Sequence, residues 1–362
     1  VSSETTVQIS KPNPNKINPK NIKRLQILAV TLTLLGIGLF GYFVYSVGVR
    51  EILDGIGKIG FGGFSVIIIL YFLRILSRAA AWKLSVYEPY KLDLRDTVPA
   101  VIIGEAMSSM IPLGILVSGT SKAVAVRNRV PLVVGLSSVA TENLFYSLVT
   151  SLFLILGAFA FLRTFELAEG WVITIDVLIA VIVLLILLGC LMVIRQWHFA
   201  SAFCEWLYNK GIGVRFLEDG RLHARLFENF IYGFYRRHPK RFLPIFLLQI
   251  VFHTLGVLEV WFVLSKISDL LPGIFTAFLL ESVSRLITIV FKLIPFVIGV
   301  DEAGAQFVTE TLAIGAGIGV TLAIIRKGRI LFWTAIGLGF IVKRGLSFKE
   351  ITEMNGKRTG RG

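Results

Sequence analysis

The sequence predicts an all-α polytopic integral membrane protein, a helical bundle of about 6–8 spans interrupted by two broken or re-entrant helical elements. Composition is the first reason: of 362 residues 55% are hydrophobic and only 17% charged, with a mean hydropathy of +0.77. A soluble domain of this size carries more charge. The second reason is a series of apolar runs long enough to cross ~30 Å of hydrocarbon. The third is the stretch from Glu281 to Arg329, apolar overall yet carrying Glu281, Arg285, Lys292, Asp301, Glu302 and Glu310, with Pro295 and Gly299 between them. A charge at bilayer depth costs ~3 kcal/mol or more, so such residues face a partner, a cavity or a substrate path. Proline removes a helical hydrogen bond, and irregular backbone at that depth survives only where protein or water covers it. We therefore read this stretch as a broken, partly polar element and as the working part of the molecule.

Residues 1–24 are polar and rich in Pro, Asn and Lys, the composition of a disordered cytoplasmic tail. The run from Leu25 to Val47 follows. Its length, roughly 35 Å as a helix at ~1.5 Å per residue, spans a bilayer and exceeds a signal-peptide core. Its basic flank, Lys11, Lys16, Lys20, Lys23 and Arg24, places the N-terminus in the cytoplasm. The segment GIGKIGFGG, Gly55 to Gly63, is expected to be a loop before a second span from about Phe64 to Leu84. Two GxGxxG matches, beginning at Gly36 and Gly55, lie in a span and in that loop rather than between a strand and a helix, which removes the dinucleotide reading. Arg74, Arg78 and Trp82 recur every four residues on one helix face. The first reading of that face is arginines snorkelling toward the cytoplasmic interface beside an aromatic anchor. The sharper one is a pair of arginines facing a lipid phosphate.

From Val98 to Ser118 the chain is apolar but interrupted by Gly104, Glu105, Ser108, Ser109, Pro112 and Gly114, and Lys122, Arg127 and Arg129 follow directly. A full crossing would put those cations outside; a re-entrant hairpin or broken helix returns them to the inside. Leu132 to Leu162, with Glu142 and Asn143, then goes outward, and Trp171 to Ile194 returns. Residues 195–241 form a cytoplasmic loop with nine Lys or Arg against four Asp or Glu. Within it Leu222, Leu226, Phe230 and Phe234 repeat every four residues, the pattern of an amphipathic helix on an anionic leaflet or beneath the bundle. Phe242 to Leu264 spans outward, with Glu259 near its end, and Gly273 to Leu293 returns. After Arg326, Lys327 and Arg329 only Ile330 to Val342 is apolar before Lys343 and Arg344, so crossing and re-entry both stay open there. Residues 25–345 form one transmembrane domain, followed by a short polar tail at 346–362.

In this topology the inside segments hold 29 Lys or Arg against 10 acids, and the three outside loops 4 against 5. That asymmetry obeys the positive-inside rule and accounts for the formal charge of +14 without nucleic acid. Cys190 and Cys204 give neither a disulfide framework nor metal-ligand spacing, and the four histidines form no HExxH pair. No cofactor and no metal are expected. Small residues are too evenly spread to name a dimer face, so the oligomeric state stays open.

A faint internal repeat runs through the chain. Pro112 begins PLGILVSGTSKA and Pro295 begins PFVIGVDEAGA; about thirty residues later come Glu142-Asn143 and Arg326-Lys327. Repeats with broken helices in corresponding positions are how many transporters build a midplane site. The segments PFVIGVDEAGAQF, with its proline, glycine and acidic pair, LAIIRKGRILFW, and GEAMSSMIPLG with its basic follow-on resemble the lysylphosphatidylglycerol synthase transmembrane region, also called the flippase-like domain family, over roughly residues 25–345. The resemblance implies a helical bundle with paired re-entrant helices in the bacterial cytoplasmic membrane that moves or holds amphipathic lipids. Similar members include proteins linked to hopanoid lipids and polyprenyl-linked sugars, alongside aminoacyl-phosphatidylglycerol flippases. The best-known members fuse this region to a soluble aminoacyl-transferase domain. Here about 18 polar residues follow Arg344, so the synthase reaction is not carried over and no enzymatic activity is expected.

The expected ligand is an anionic or phosphate-bearing lipid: a phospholipid, a polyprenyl-phosphate sugar or a hopanoid-class lipid. Arg285, Lys292 and Arg326 would replace the water around its phosphate. Glu281, Asp301, Glu302, Glu105 and Glu142 would pair those cations in the empty state, or take an amino head group or a coupling proton, with Pro112, Pro295 and Gly299 supplying the breaks. Rocking of one half against the other would expose the head group to each leaflet in turn. The plain alternative for Glu281 and Arg285, spaced i to i+4, is an intrahelical salt bridge. Two rival functions stand beside transport: a non-catalytic partner of a separately encoded lipid-modifying enzyme, and an intramembrane lipid transferase using Asp301 or Glu302 as general base.

Overall fold

A computed structural model of the chain describes residues 38, 41–42, 45, 48–110, 114–164, 169–195, 198–210, 225, 228–229, 232–268, 272–291, 294, 297–312 and 314–343. It is all-helical. The elements are α1 (Val49–Leu84), α2 (Leu94–Met110), α3 (Gly114–Ala125), α4 (Leu132–Thr164), α5 (Glu169–Arg195), α6 (Phe199–Asn209), a 3-10 turn at Pro239–Arg241, α7 (Phe242–Ile267), α8 (Ile274–Val290), α9 (Val300–Thr311) and α10 (Ala316–Lys343). Among the described residues Val49–Leu84, Leu132–Thr164 and Pro239–Ile267 are long and apolar enough to cross a membrane. The chain is a polytopic helical membrane protein. Most of the run from Leu25 to Val47, and Leu222, Leu226 and Phe230, lie outside the described residues.

Two pairs of short helices set the architecture. α2 and α3 have 17 and 12 residues, and α8 and α9 have 17 and 12 again. At ~1.5 Å per residue neither length reaches across ~30 Å of hydrocarbon. Each pair is followed by one long helix, α4 or α10. α9 begins at Gly299, whose φ of 83° suits a residue with no Cβ, and the Glu302 carboxylate accepts its backbone N–H at 2.8 Å. α1 and α7 pack along each other, and α10 lies against α2, α9 and α1.

Small residues let these helices close up. A Cβ on Gly256 of α7 would sit 2.6 Å from Glu281 Oε1, and one on Gly337 of α10 would sit 2.5 Å from the Ala106 Cβ of α2. Two apolar layers result. One gathers Ile67, Val260, Leu264, Leu280, Val308 and Leu322; the other gathers Ile75, Trp82, Ala100, Ile102, Val139 and Trp333.

Two expectations about elements change. The GIGKIGFGG segment is helical, part of α1, and its glycines leave their mark as a break at Gly60, where φ is 60° and ψ −177°. The second is the basic triplet Arg326, Lys327 and Arg329, which falls inside the 28-residue α10 rather than at the flank of a 13-residue segment. The helix continues because acidic side chains on α7, α8 and α9 neutralise the triplet in place. Arg326, Lys327, Arg329 and Lys122 are therefore not interfacial topology signals.

Candidate functional site

Between the two apolar layers lies a belt of charge. On α1, Ile67 belongs to one layer and Trp82 to the other, with Arg74 and Arg78 between; on α10, Leu322 and Trp333 bracket Arg326, Lys327 and Arg329 in the same order. Arg74 lies seven residues from Ile67 and eight from Trp82, about 10–12 Å at ~1.5 Å per residue, with Ile75 of the second layer bordering it. The charges thus sit at mid-depth of the bundle.

The belt has two nodes. At the first, Glu281 of α8 binds three arginines from three helices: Arg285 one turn along at 2.5 Å, Arg74 of α1 at 3.3 Å, and Arg326 of α10. Arg74 also reaches Glu259 of α7 at 3.3 Å, and Glu259 pairs with Arg329. Next to this node Lys327 lies 2.6 Å from Glu302 and 3.8 Å from Asp301. The Lys327–Glu302 contact is an ion pair without hydrogen-bond geometry, which leaves Glu302 Oε2 to hold the α9 N-terminus.

At the second node the signs are exchanged. Arg78 of α1 donates to Glu105 of α2 at 3.2 Å and to Glu142 of α4 at 3.1 Å, and also to Asn143. Glu142 accepts a further hydrogen bond from Gln249 and lies 3.6 Å from Lys122 of α3, while Glu105 accepts the Tyr71 hydroxyl at 2.5 Å. Tyr71 ties the nodes together, because the Arg329 guanidinium lies 4.1 Å from its ring centre. Phe252 does the same with Arg74 at 4.5 Å and Arg78 at 5.9 Å, and Tyr146 faces Arg78 at 4.5 Å.

Seven cations face six anions in these pairs. Glu142, Glu281 and Glu302 are fully buried, and Arg74 and Lys122 nearly so. Burial of single charges on this scale is tolerable only with partners on every side. Even so, the Nε–H groups of Arg74, Arg285 and Arg329 have no hydrogen-bond partner among the described residues. The more accessible members are Glu105, with 23% of its side chain exposed, and Arg285, Lys327 and Arg78, with 12–14%.

The nodes occupy matching positions in the two halves. Glu105 and Arg285 are each the twelfth residue of the 17-residue helix, and Glu142 and Arg326 each the eleventh residue of the long helix. Arg78 bridges the first pair as Glu281 bridges the second.

The structure thus brings together Glu281, Arg285 and Arg326 at one node, Asp301 and Glu302 beside it, and Glu105 and Glu142 at the other. Gly299 starts α9 as a break. Lys292, Pro112 and Pro295 lie outside the described residues. The Glu281–Arg285 pair exists but is one bond of a multi-helix network. Snorkelling is overturned for Arg74 and Arg78: both turn inward because acids from four other helices meet them there. Trp82 is no interfacial anchor either; it is fully buried and donates Nε1–H to Ser138 at 2.9 Å. Sequence reasoning missed Lys122, Glu259, Lys327, Arg329, Tyr71 and Gln249 as members. For Glu259 the signal was present, an acid within an apolar run, but its nearness to the end of the run hid it.

These features define a class: a helical membrane protein with two broken-helix pairs enclosing a mid-depth ion network. Within that class the chain belongs to the lysylphosphatidylglycerol synthase TM region family, whose model matches residues 26–339. No curated protein and no solved structure matches it.

Proposed function

We propose that the protein translocates or presents a phosphate-bearing amphipathic lipid through the belt, with its N-terminal tail in the cytoplasm. The observation that carries this reading is the charge-inverted pair of nodes, held at mid-depth by two broken-helix pairs. A polar head group needs its water replaced on the way through hydrocarbon, and a preformed set of exchangeable ion pairs supplies that replacement. In the empty state Glu281 satisfies Arg285 and Arg326. A phosphate takes its place by accepting from the same guanidiniums, with the vacant Nε–H of Arg285 as an additional donor. Glu105 and Glu142 then suit a positively charged portion of the head group or a proton. Hydrocarbon chains have a seat nearby: a groove of about 790 Å³ between α4, α5 and the start of α7, lined by Leu144, Leu148, Leu185, Phe242 and Phe246. The reading assigns the chain no bond-making step.

Leaflet-resolved exchange of fluorescent phospholipid and polyprenyl-phosphate analogues in proteoliposomes tests it. Wild-type protein is expected to accelerate exchange of one lipid class. Arg285→Gln and Glu105→Gln are expected to lower the rate at least ~10-fold, the kinetic equivalent of about 1.4 kcal/mol. Glu310→Gln, an exposed change next to Gln306, is expected to leave the rate as it is. Exchange no faster than in empty liposomes, from protein shown to be folded, would sink the transport reading.

A further inference from the structure

We propose that α7 carries a subsite for hydroxyl groups between the two nodes, so that the lipid accepted by the belt bears a polyol, a glycerol or a sugar, on its phosphate. The inference rests on the reading of the belt as a head-group site and narrows its substrate class. Two neutral side chains of α7 carry it, Gln249 and His253, spaced i to i+4 on one helix face. Gln249 is fully buried and His253 is 2% exposed. Each is anchored to α4 through one polar atom: Gln249 Nε2 donates to Glu142 Oε1 at 3.1 Å, and His253 Nε2 lies 3.0 Å from Thr150 Oγ1. The other polar atom of each, Gln249 Oε1 and His253 Nδ1, has no hydrogen-bond partner among the described residues.

The chemistry of these two atoms selects the ligand. An ionised carboxylate only accepts, so the amide nitrogen of Gln249 must face Glu142, and the orphaned atom is the carbonyl oxygen, an acceptor. His253 Nδ1 donates or accepts according to the tautomer set by its contact with Thr150. The ring is not free to turn toward another partner. It stacks on Phe153 at 4.8 Å and on Tyr146 at 5.9 Å, with Phe252 edge-on at 5.3 Å. A hydroxyl both donates and accepts, so hydroxyls satisfy the two atoms in either tautomer. An ammonium fails when Nδ1 carries the proton, and a phosphate oxygen offers Gln249 no proton at all. The place in the belt is equally specific. Gln249 shares Glu142 with the second node, and one turn beyond His253 a Cβ on Gly256 would sit 2.6 Å from Glu281 Oε1 and 3.2 Å from Arg74 Cζ. The pair therefore stands between the acidic node and the guanidiniums that take the phosphate. Side chains at i and i+4 start about 5–6 Å apart at their Cβ atoms, so two hydroxyls of one small polyol reach both. A buried polar atom left unpaired costs its own desolvation, which a hydroxylated head group recovers on binding and an analogue without hydroxyls does not.

Phosphatidylglycerol and phosphatidylethanol with the same chains carry the same charge and differ in the head-group hydroxyls. The whole chain is purified into phosphatidylcholine nanodiscs doped equally with the two, and native mass spectrometry reads which lipid it retains. A second arm pairs a glucosyl polyprenyl phosphate with ethyl polyprenyl phosphate and so tells a sugar from a glycerol. In at least one arm the wild type is expected to retain the hydroxylated lipid at least ~10-fold over its partner. His253→Phe keeps the ring stacking and removes both nitrogens; it is expected to cut that ratio to about threefold or less, as is Gln249→Met. His253→Asn, which keeps a polar atom near the position of Nδ1, is expected to restore most of it. Arg285→Gln is expected to weaken retention of both lipids alike and leave the ratio as it is. Thermal melting of each variant shows that it is folded, and the wild-type ratio decides whether or not a variant folds. A preference without any lipid exchange would end the transport reading and keep this subsite; exchange without preference would do the reverse. Equal or absent retention in both pairs, or an unchanged ratio in folded His253→Phe and Gln249→Met, overturns the proposal, the two atoms then being met by enclosed water.

Discussion

The two halves of the bundle use one helical plan with opposite electrostatics. α2, α3 and α4 in the first half match α8, α9 and α10 in the second in order, and the short helices match in length. Yet the first half offers two carboxylates, Glu105 and Glu142, to an arginine from α1, whereas the second offers two arginines, Arg285 and Arg326, to a glutamate within its own α8. What differs most is the supporting cast. Glu142 keeps Lys122 and Gln249 and Glu105 keeps Tyr71 if Arg78 is lost, but among the described residues Arg285 and Arg326 share Glu281 as their ion-pair partner. A hub that is hydrogen-bonded from several directions is a redundant one; a single carboxylate holding three guanidiniums is not.

The sharpest break of this comparison is Glu281→Gln. It leaves Arg74, Arg285 and Arg326 facing one another around a neutral amide, and the expected loss is ~3–5 kcal/mol, the cost of breaking a buried pair on one side only. Thermal and denaturant unfolding in a fixed detergent measures it. Arg78→Gln is the matching change in the first half and is expected to cost less, ~2–3 kcal/mol, because Lys122, Gln249 and Tyr71 still satisfy the acids. Equal losses in the two variants would remove the asymmetry. The double variant Arg78→Gln/Glu142→Gln sharpens the point: its loss is expected to fall short of the sum of the singles by ~1–3 kcal/mol, since both changes remove one shared interaction.

A packing change gives a smaller effect. Gly256→Ala puts a Cβ 2.6 Å from Glu281 Oε1 and 3.2 Å from Arg74 Cζ, so the hub must shift, at an expected ~1–3 kcal/mol. Its mark is a lowered melting temperature together with altered lipid exchange, the second of which a remote packing defect would not produce. The smallest effect is expected for Trp82→Phe, which removes the Nε1–H bond to Ser138 in the layer beyond the belt and costs ~1 kcal/mol with exchange retained.

Much of the plan was legible in the sequence because it follows from solvation alone. Apolar runs predict α4, α5, α7 and α8 to within a few residues. The interruption at Gly104 to Gly114 predicts the break between α2 and α3, and the thirty-residue echo between Glu142 and Arg326 is a real correspondence of positions. Charges inside apolar runs mark Glu281, Arg285, Arg326, Glu105 and Glu142 as candidates, because a lone charge at that depth is too costly to be incidental. The failures have one cause. Arg74, Arg78, Lys327 and Arg329 are read from their own stretch of chain, where a cation near the end of an apolar run looks interfacial. Their acids lie far away in sequence, up to 207 residues in the case of Arg74 and Glu281.

The sequence by itself determined that this is a helical membrane protein of the lysylphosphatidylglycerol synthase TM region family, with broken helices and costly charges in its interior. Hydrophobic period, proline, glycine and ionisable side chains act within one or two turns of where they occur, so the sequence carries them openly. Only the tertiary structure decided which acid meets which base, that α10 runs unbroken through three cations, and that α1 turns Arg74 and Arg78 into the bundle. Those outcomes depend on how α1, α7 and α10 pack side by side. A Coulomb interaction falls off with distance through space, and distance along the chain does not report it.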